Sequence, residues 1–211
     1  MKRKIISYLL NFFLRLDNYC YKIISKLSIW DNNDIHPKHR IMNYHQFFVD
    51  NIGKNDNVLD IGCGNGFVAY DIAQKAKSVL GIDINKQSIK FGRKYYQREN
   101  LSFVIGDATK YQLKNNFDLI VLSNVLEHIK NRTAFLKKIR KIAPIILIRV
   151  PMINRDWLTL YKKEKGIEFR LDKTHFIEYT IESFEKEIEK TNLKIKSYSI
   201  QFGEIWAIIK K

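Results

Sequence analysis

Residues 58–66 read Val-Leu-Asp-Ile-Gly-Cys-Gly-Asn-Gly, a short apolar run that ends in three glycines. Glycine lacks a Cβ atom, so such a turn bends tightly and lets a ligand touch the backbone. Dinucleotide folds use the spacing G-x-G-x-x-G, in which a pyrophosphate sits on the following helix. Here the spacing is G-x-G-x-G, and Asp60 would repel a pyrophosphate but suits an ammonium or sulfonium group. The stretch therefore predicts a strand-to-helix turn that binds a cationic ligand.

The alternation of strand and helix patterns continues along the chain to residue 150. The predicted strands cover residues 58–61, 79–82, 103–105, 119–122 and 145–148, and the predicted helices cover residues 68–76, 86–98 and 133–142. Apolar strands that alternate with amphipathic helices indicate a parallel sheet covered on both faces. The sequence therefore predicts an α/β, doubly wound fold.

Acidic residues follow two further predicted strands. Asp83 ends the second strand, 21 residues after Gly62, where a carboxylate can accept both hydroxyls of a ribose. Asp107 follows the third strand and is placed to accept from the amino group of an adenine. Because open α/β sheets bind ligands at the carboxyl ends of their strands, we expect Asp60, Asp83 and Asp107 to share one edge.

Together with residues 106–108 and 117–121, these segments resemble the class I S-adenosylmethionine-dependent methyltransferases. The resemblance implies S-adenosylmethionine as cofactor and a Rossmann-like, seven-stranded, mostly parallel sheet that ends in an antiparallel hairpin. Residues 195–200 and 205–209, separated by Gly203, fit that hairpin. The cofactor contacts that we assign on this basis come from Asp60, Gly62, Cys63, Gly64, Gly66, Asp83, Ile84, Asp107, Ala108 and Asn124.

Methyl transfer from a sulfonium is an in-line displacement, so the protein supplies alignment, and a base only if the acceptor must lose a proton. His128 follows the fourth predicted strand and is the first candidate base, because imidazole titrates near neutral pH. Its alternative role is to cap and orient the loop together with Glu127. His175 is the second candidate base, and its alternative role is to support the helix that Thr180 is expected to cap.

A metal is not expected. The chain resembles the quinone O-methyltransferases, a subgroup that holds a divalent ion at this segment with an acid-x-x-acid-His cluster. Here Asn124 replaces the first acid, which leaves Glu127 and His128 as matching ligands. Two ligands make a poor site for a hard cation.

Length and composition favour one domain with an additional arm, since 211 residues, 45% of them apolar, can build a single α/β core. We assign residues 1–50 to an N-terminal helical arm and residues 51–211 to the domain, with a lid or acceptor-binding insert at about 151–176. In the arm, Arg40 could pair with the cofactor carboxylate, and His39 or Tyr44 could face the active site. Two cysteines are too few for a disulfide scaffold, which indicates a reducing, cytoplasmic environment.

Residues 1–30 have the pattern of a basic, amphipathic helix. Its apolar stripe recurs at steps of three and four and consists of Ile5, Leu9, Phe12, Leu16, Tyr19, Ile23 and Leu27. A stripe this wide must be buried, either against the domain or a second copy of the chain, or in the plane of an anionic membrane surface. The first alternative includes a homodimer, and the second places the protein on the inner face of the membrane.

The leading functional prediction is O-methylation of a small molecule, a sugar, or a lipid-linked or glycan acceptor. A net charge of +15 keeps a nucleic-acid methyltransferase as the alternative. Against it, Asn124 is not followed by a Pro-Pro-aromatic sequence, and no RNA-binding module is apparent. A further alternative, from a different functional class, is a non-catalytic protein that binds the cofactor without turnover. A nicotinamide dehydrogenase is disfavoured by the glycine spacing and by Asp60.

Overall fold

A computed structural model describes residues 2–111 and 117–211. The described strands are β1 (Asn57–Ile61), β2 (Ser78–Asp83), β3 (Leu101–Ile105), β4 (Leu119–Ser123), β5 (Ile145–Pro151), β6 (Lys194–Gln201) and β7 (Glu204–Lys210). They form one sheet in the order β3-β2-β1-β4-β5-β7-β6, and β7 runs antiparallel to both of its neighbours. The predicted fold, a seven-stranded, mostly parallel sheet with a C-terminal antiparallel hairpin, is confirmed.

Helices cover both faces of this sheet. The described helices are α1 (Lys2–Asp31), α2 (Lys38–Met42), α3 (Tyr44–Asp50), α4 (Phe67–Ile72), α5 (Lys86–Tyr95), α6 (Arg132–Ile139), α7 (Trp157–Glu164) and α8 (Ile181–Glu189). Apolar side chains of α6 and α8 pack in a core on one face of the sheet, and those of α3, α4 and α5 pack on the other. Because both faces are covered, the central strands are mostly apolar, and the charged side chains within them, Asp60 in β1 and Arg149 in β5, are buried.

Side-chain caps mark where several helices begin. Asn85, Asn131 and Asp156 each accept a backbone N–H in the first turn of α5, α6 and α7. Thr180 caps α8 and shares a reciprocal pair of hydrogen bonds with Ser183. The predicted capping role of Thr180 is confirmed. These caps place the strand-to-helix loops firmly at the carboxyl edge of the sheet, where the site lies.

The predicted N-terminal helix is present as α1, but its apolar stripe does not pack on the domain. All seven stripe residues are between 37% and 63% exposed, whereas Leu14, on the opposite side of the helix, is buried. Hydrogen bonds also join α1 to the domain: Lys162 Nζ donates to Asp17 Oδ2 at 2.5 Å, and Asn18 Nδ2 donates to the Glu168 carbonyl at 2.6 Å. Of the alternatives for this stripe, burial against the domain is therefore contradicted, whereas a second copy of the chain and a membrane surface stay open.

Helix α3, at the end of the predicted arm, packs in the core of the domain. Tyr44 and Phe48 of α3 are buried in the core that also contains Ile52 and residues of α4, although residues up to 50 were expected in the arm.

In the described part of the chain, no helix has the length and apolar character needed to cross a membrane.

The predicted insert at 151–176 contains α7 and then returns to the sheet edge. Arg155 ties the segment together, because its guanidinium donates to Glu178 Oε2 at 2.5 Å and to the Phe169 carbonyl at 2.6 Å. Phe176 N also donates to the Glu127 carbonyl at 2.8 Å. These bonds bring His175 to the loop that carries His128.

Candidate active site

The turn after β1 exposes backbone at the carboxyl edge of the sheet. Gly62 has φ +70°, and a Cβ there would lie 2.5 Å from Val125 Cγ2, so a larger residue has neither the conformation nor the room. At Gly64, with φ +55°, a Cβ would meet nothing within 4 Å. The turn is therefore tight against the protein on one side and open toward a ligand on the other.

Two carboxylates stand at this turn. Asp83 Oδ2 accepts the backbone N–H of Gly64 at 2.8 Å, and its Oδ1 accepts that of Asn85 at 2.7 Å. Asp60 is 1% exposed, and within the described residues its Oδ2 has no hydrogen-bond partner. Burial, with the charge of Asp83 as a smaller cause, raises the pKa of Asp60 to about 8. A cation placed beside these carboxylates would satisfy the orphaned oxygen and favour the ionised form.

A cavity of about 850 Å³ opens at the carboxyl ends of β1, β2, β3 and β4. Of the predicted site residues, its lining includes Gly62, Asp83, Ile84, Asp107, Ala108, Asn124 and His128. Asp107 Oδ1 accepts from the backbone and hydroxyl of Thr109 at 2.9 and 2.6 Å, which fixes the orientation of the carboxylate. The hydrogen bond from the Thr109 hydroxyl is the main cause that lowers the pKa of Asp107.

Five of the predicted cofactor residues are absent from the lining of this cavity: Asp60, Cys63, Gly64, Gly66 and Arg40. The Cys63 thiol is buried beneath Gly81, where an added Cβ would lie 2.8 Å from Sγ, so the backbone of Cys63 is what remains available to a ligand. Gly66 packs close to the Phe103 ring. Arg40 is exposed on α2 and is absent from the lining of the cavity, and its pairing with a cofactor carboxylate stays a prediction.

His39, next to Arg40, faces inward instead. Its Nδ1 lies 2.6 Å from the Tyr44 hydroxyl, and its ring stacks on Phe67, directly after the glycine turn, with centroids 5.1 Å apart. His45 contacts His39 at 3.1 Å and Asp71 at 2.6 Å. Burial is the main cause that lowers the pKa of His39 to about 4, so the ring is neutral near pH 7. The structure thus brings both His39 and Tyr44 to the turn.

Arg149 was missed by the sequence analysis. It is buried on β5, pairs with Glu204 Oε1 at 2.9 Å, donates to Ser123 Oγ at 3.2 Å and lies 3.6 Å from the centre of the Tyr44 ring. A cation within the apolar run of residues 145–150 is a signal that could have revealed it, because a buried charge requires a partner. The Arg149–Glu204 pair connects the hairpin to the loop that begins at Ser123.

The two candidate bases, His128 and His175, lie next to each other. The rings of His128 and His175 are 4.6 Å apart between centroids and nearly perpendicular. Thr174 Oγ1 lies 2.9 Å from His128 Nδ1, and Glu178 Oε1 lies 3.0 Å from His175 Nδ1. Burial, followed by the charge of His175, lowers the pKa of His128. His128 is therefore neutral near pH 7, as a base must be.

Glu127 lies directly behind the two histidines. It is 0% exposed, and within the described residues neither carboxylate oxygen has a hydrogen-bond partner. Burial raises the pKa of Glu127 to about 8. One ligand atom from each of Glu127, His128 and His175 lies within 4.8 Å of the others. Three candidate ligands therefore meet here, instead of the two expected from the sequence, and two histidines with one glutamate are a set also found in catalytic zinc sites.

Comparison with known proteins places this geometry in a family. Residues 52–155 match a family of methyltransferase domains. The ubiquinone biosynthesis O-methyltransferase of Rickettsia typhi is 31% identical over 101 residues, which cover 46% of this chain and 41% of that protein. A Papaver bracteatum protein named as a probable (S)-tetrahydroprotoberberine N-methyltransferase is 33% identical over 93 residues, or 42% of this chain and 26% of that protein. The chain spans less than half the length of these two relatives.

The fold is also similar to that of solved methyltransferase structures. Magnesium protoporphyrin IX methyltransferase from Synechocystis PCC 6803, solved with bound SAH, superposes with a TM-score of 0.64 at 17% identity, over 81% of this chain and 83% of that one. The glycine turn, the acidic strand ends and the reversed hairpin thus define a class I S-adenosylmethionine-dependent methyltransferase. Residues 52–155 of this chain form a methyltransferase domain of that class, whose cofactor is S-adenosylmethionine.

The two buried carboxyls make the stability of the cofactor-free protein sensitive to pH. The pKa of Asp60 and that of Glu127 are raised to about 8 in the folded protein, whereas carboxyls of an unfolded chain titrate near pH 4. Between about pH 7 and 8.5 the unfolded state binds fewer of these protons, so the free energy of unfolding falls as pH rises. We expect the melting temperature to drop by several degrees across this window, as scanning calorimetry would show.

Asp60→Asn and Glu127→Gln, combined in one chain, remove both titrations and should flatten this slope. Histidines contribute little to the slope, because they are mostly neutral in both states above pH 7. An unchanged slope in the double variant would show that these carboxyls already ionise normally.

Proposed function

We propose that this protein methylates an oxygen atom of a small molecule, a sugar, or a lipid-linked or glycan acceptor, with His128 as the base that removes the hydroxyl proton. The observation that carries the proposal is the position of His128, which lines the cofactor cavity and is held from behind by Thr174. Asp60, Gly64 and Asp83 would hold the cofactor at the glycine turn.

Hydrogen bonding behind His128 selects its tautomer. The Thr174 hydroxyl donates its proton to Asp172 Oδ1 at 2.8 Å, so its oxygen is free to accept the Nδ1–H of His128 at 2.9 Å. Nε2 then carries a lone pair rather than a proton. Because the ring lines the cavity, this arrangement provides a proton acceptor for a hydroxyl bound there.

When bound, S-adenosylmethionine would supply the methyl group to the acceptor oxygen, and the electron pair of the broken sulfur–carbon bond would remain on sulfur. The residues of this chain align the acceptor, exclude water and take the proton of its hydroxyl onto His128 Nε2. His175 is held by Glu178 and is buried against His128. It is a candidate second base from the same cluster.

Thr174 is a positioning residue in this proposal. Thr174→Val removes the acceptor for Nδ1–H and keeps the size of the side chain, so the tautomer of His128 is no longer selected. We expect kcat to fall by about ten- to a hundredfold with little change in the cofactor Kd, and Thr174→Ser to restore most of the rate. Equal rates in the Val and Ser variants would contradict the selection of the tautomer by this hydroxyl.

The acceptor is identified by following the methyl group. The purified chain is incubated with methyl-labelled S-adenosylmethionine and a fractionated cell extract, and RNA, lipid-linked material and small metabolites are then separated. We expect the label in the small-molecule or lipid-linked glycan fraction, as a methyl ether by mass spectrometry, and expect His128→Gln protein to leave the extract unlabelled. Label in RNA would establish the nucleic-acid alternative. A methylated amine would show that the acceptor atom is nitrogen rather than oxygen.

O-methylation is supported by the Rickettsia relative, whose name describes an O-methyltransferase, whereas the Papaver relative is named for N-methylation. A hydroxyl is far less acidic than an ammonium group, so a neutral imidazole in the cavity is of most use to an oxygen acceptor. Cofactor binding without any methylated product would instead support the non-catalytic alternative.

A further inference from the structure

We propose that the outward face of α1 binds an anionic lipid bilayer and holds the methyltransferase domain on its surface. The inference goes beyond methyl transfer and does not depend on it. It rests on which face of α1 contacts the domain, and on where the cations of the helix lie.

The helix has two faces with different chemistry. The face toward the domain carries Leu14 and Asn18, and the hydrogen bonds of Asp17 and Asn18 with the insert anchor it. The opposite face carries the apolar stripe defined above, displayed along a helix of 30 residues, which at 1.5 Å per residue is about 45 Å long. The domain therefore orients the stripe away from itself. An exposed apolar stripe of this size marks a binding surface.

The charges on α1 select an anionic lipid surface. The helix carries six Lys or Arg residues against two Asp residues, and one of these, Asp17, is already paired with Lys162. Lys4, Arg15, Lys22 and Lys26 follow one another at spacings of 11, 7 and 4, which places them along one flank of the stripe. Their ammonium and guanidinium groups can reach lipid phosphates while the stripe enters the boundary of the acyl chains.

A second copy of the chain fits this face less well. Two antiparallel copies that pack through the stripe would bring the same cationic flank of each helix together, and like charges at that distance repel. A bilayer that contains acidic lipid instead offers negative charge along the whole flank. The exposed aromatic side chains Tyr8, Tyr19 and Trp30 are of the kind found at membrane interfaces.

The test is flotation of the full chain with phosphatidylcholine vesicles, prepared with and without phosphatidylglycerol, in the absence of cofactor. We expect binding to vesicles that contain phosphatidylglycerol, and weaker binding in high salt. A chain with both Leu9→Asp and Phe12→Asp should bind at least tenfold more weakly. The matched control carries Ile200→Asp and Phe202→Asp: these side chains are 52% and 59% exposed, against 53% and 58% for Leu9 and Phe12.

Cation removal supplies an independent variant that should not disturb the helix. Lys22→Gln with Lys26→Gln should weaken binding to phosphatidylglycerol vesicles about 25-fold, at about fivefold for each charge. Lys194→Gln with Lys196→Gln, which lie on β6, is the control with the same change in net charge. Far-UV circular dichroism verifies that each variant keeps its helices.

Two results would overturn the proposal. One is vesicle binding that is absent, or equal in the α1 variants and their controls. The other is a dimer of the free chain, seen by sedimentation equilibrium, that the Leu9 and Phe12 changes dissociate while vesicles do not bind. In that case the stripe is a contact between copies. Because neither measurement uses S-adenosylmethionine, both are independent of the proposed methyl transfer.

Discussion

His128→Gln should lower kcat for methylation of an oxygen acceptor by about 10²- to 10⁴-fold, the usual contribution of a positioned base. Glutamine keeps a polar group near the position of the ring but accepts no proton at neutral pH. Because His128 contacts the acceptor rather than the cofactor in the proposed mechanism, the Kd of the cofactor should change little. The measurement is a single-turnover rate with labelled S-adenosylmethionine, together with calorimetric binding of the cofactor. His36→Gln serves as the control, because His36 bonds to Ser25, away from the cavity.

The pH profile distinguishes a base from a residue that only orients the loop. The pKa of His128 is lowered, so the wild-type rate should rise with pH below the ordinary histidine range and be constant near neutrality. In His128→Gln the residual rate should lose this step. A retained step would transfer the role of base to His175.

The cluster of Glu127, His128 and His175 also permits a direct test for a metal. On the sequence-based expectation that no metal takes part, chelation should leave the wild-type rate unchanged. Loss of activity on chelation, restored by one divalent cation, would reassign the three side chains as ligands.

Asp60→Asn should weaken binding of S-adenosylmethionine by about two orders of magnitude or more. The substitution keeps the shape of the side chain but removes the negative charge that complements a buried cation, and removal of one partner from such a pair typically costs about 2–5 kcal/mol. Titration calorimetry with S-adenosylmethionine measures the loss. Asp31→Asn, on the exposed end of α1, is the matched control.

The same variant should abolish proton release on binding. The pKa of Asp60 is about 8 in the free protein, so near pH 7 its carboxyl is mostly protonated. A cation beside it favours ionisation, so binding should release close to one proton, and affinity should increase with pH up to about 8. Calorimetry in two buffers of different ionisation enthalpy counts this proton. Equal release by wild type and Asp60→Asn would show that another group titrates.

Local patterns in the sequence were sufficient for the fold and for the cofactor edge. The glycine turn has one compatible conformation, since Gly62 needs a positive φ and a Cβ there would clash with Val125. Acidic residues at the ends of β1, β2 and β3 had to share an edge because parallel strands align their carboxyl ends. These features depend on residues that are close in sequence or on the regular geometry of a parallel sheet.

Contacts between residues far apart in the sequence brought the two candidate bases together. His175 meets His128 across 47 residues of chain, because Arg155, Glu178 and Phe176 fold the insert back onto the loop. Arg149 and Glu204 meet across 55 residues through the β5–β7 pairing. Neither pair has a spacing that periodicity can predict, so the sequence could name candidate bases but could not bring them together.

The direction in which side chains face was also decided by the tertiary structure. Periodicity correctly predicted α1 and its apolar stripe, but it could not determine which face meets the domain. That choice was made by Lys162 and Asn18, which bond α1 to the insert through its polar side and leave the stripe outside. In the same way, His39 turns inward and Arg40 outward on α2. The sequence thus determined the elements and the cofactor edge through local geometry, whereas the cluster of Glu127, His128 and His175 and the exposed face of α1 arose from packing between segments far apart in the chain.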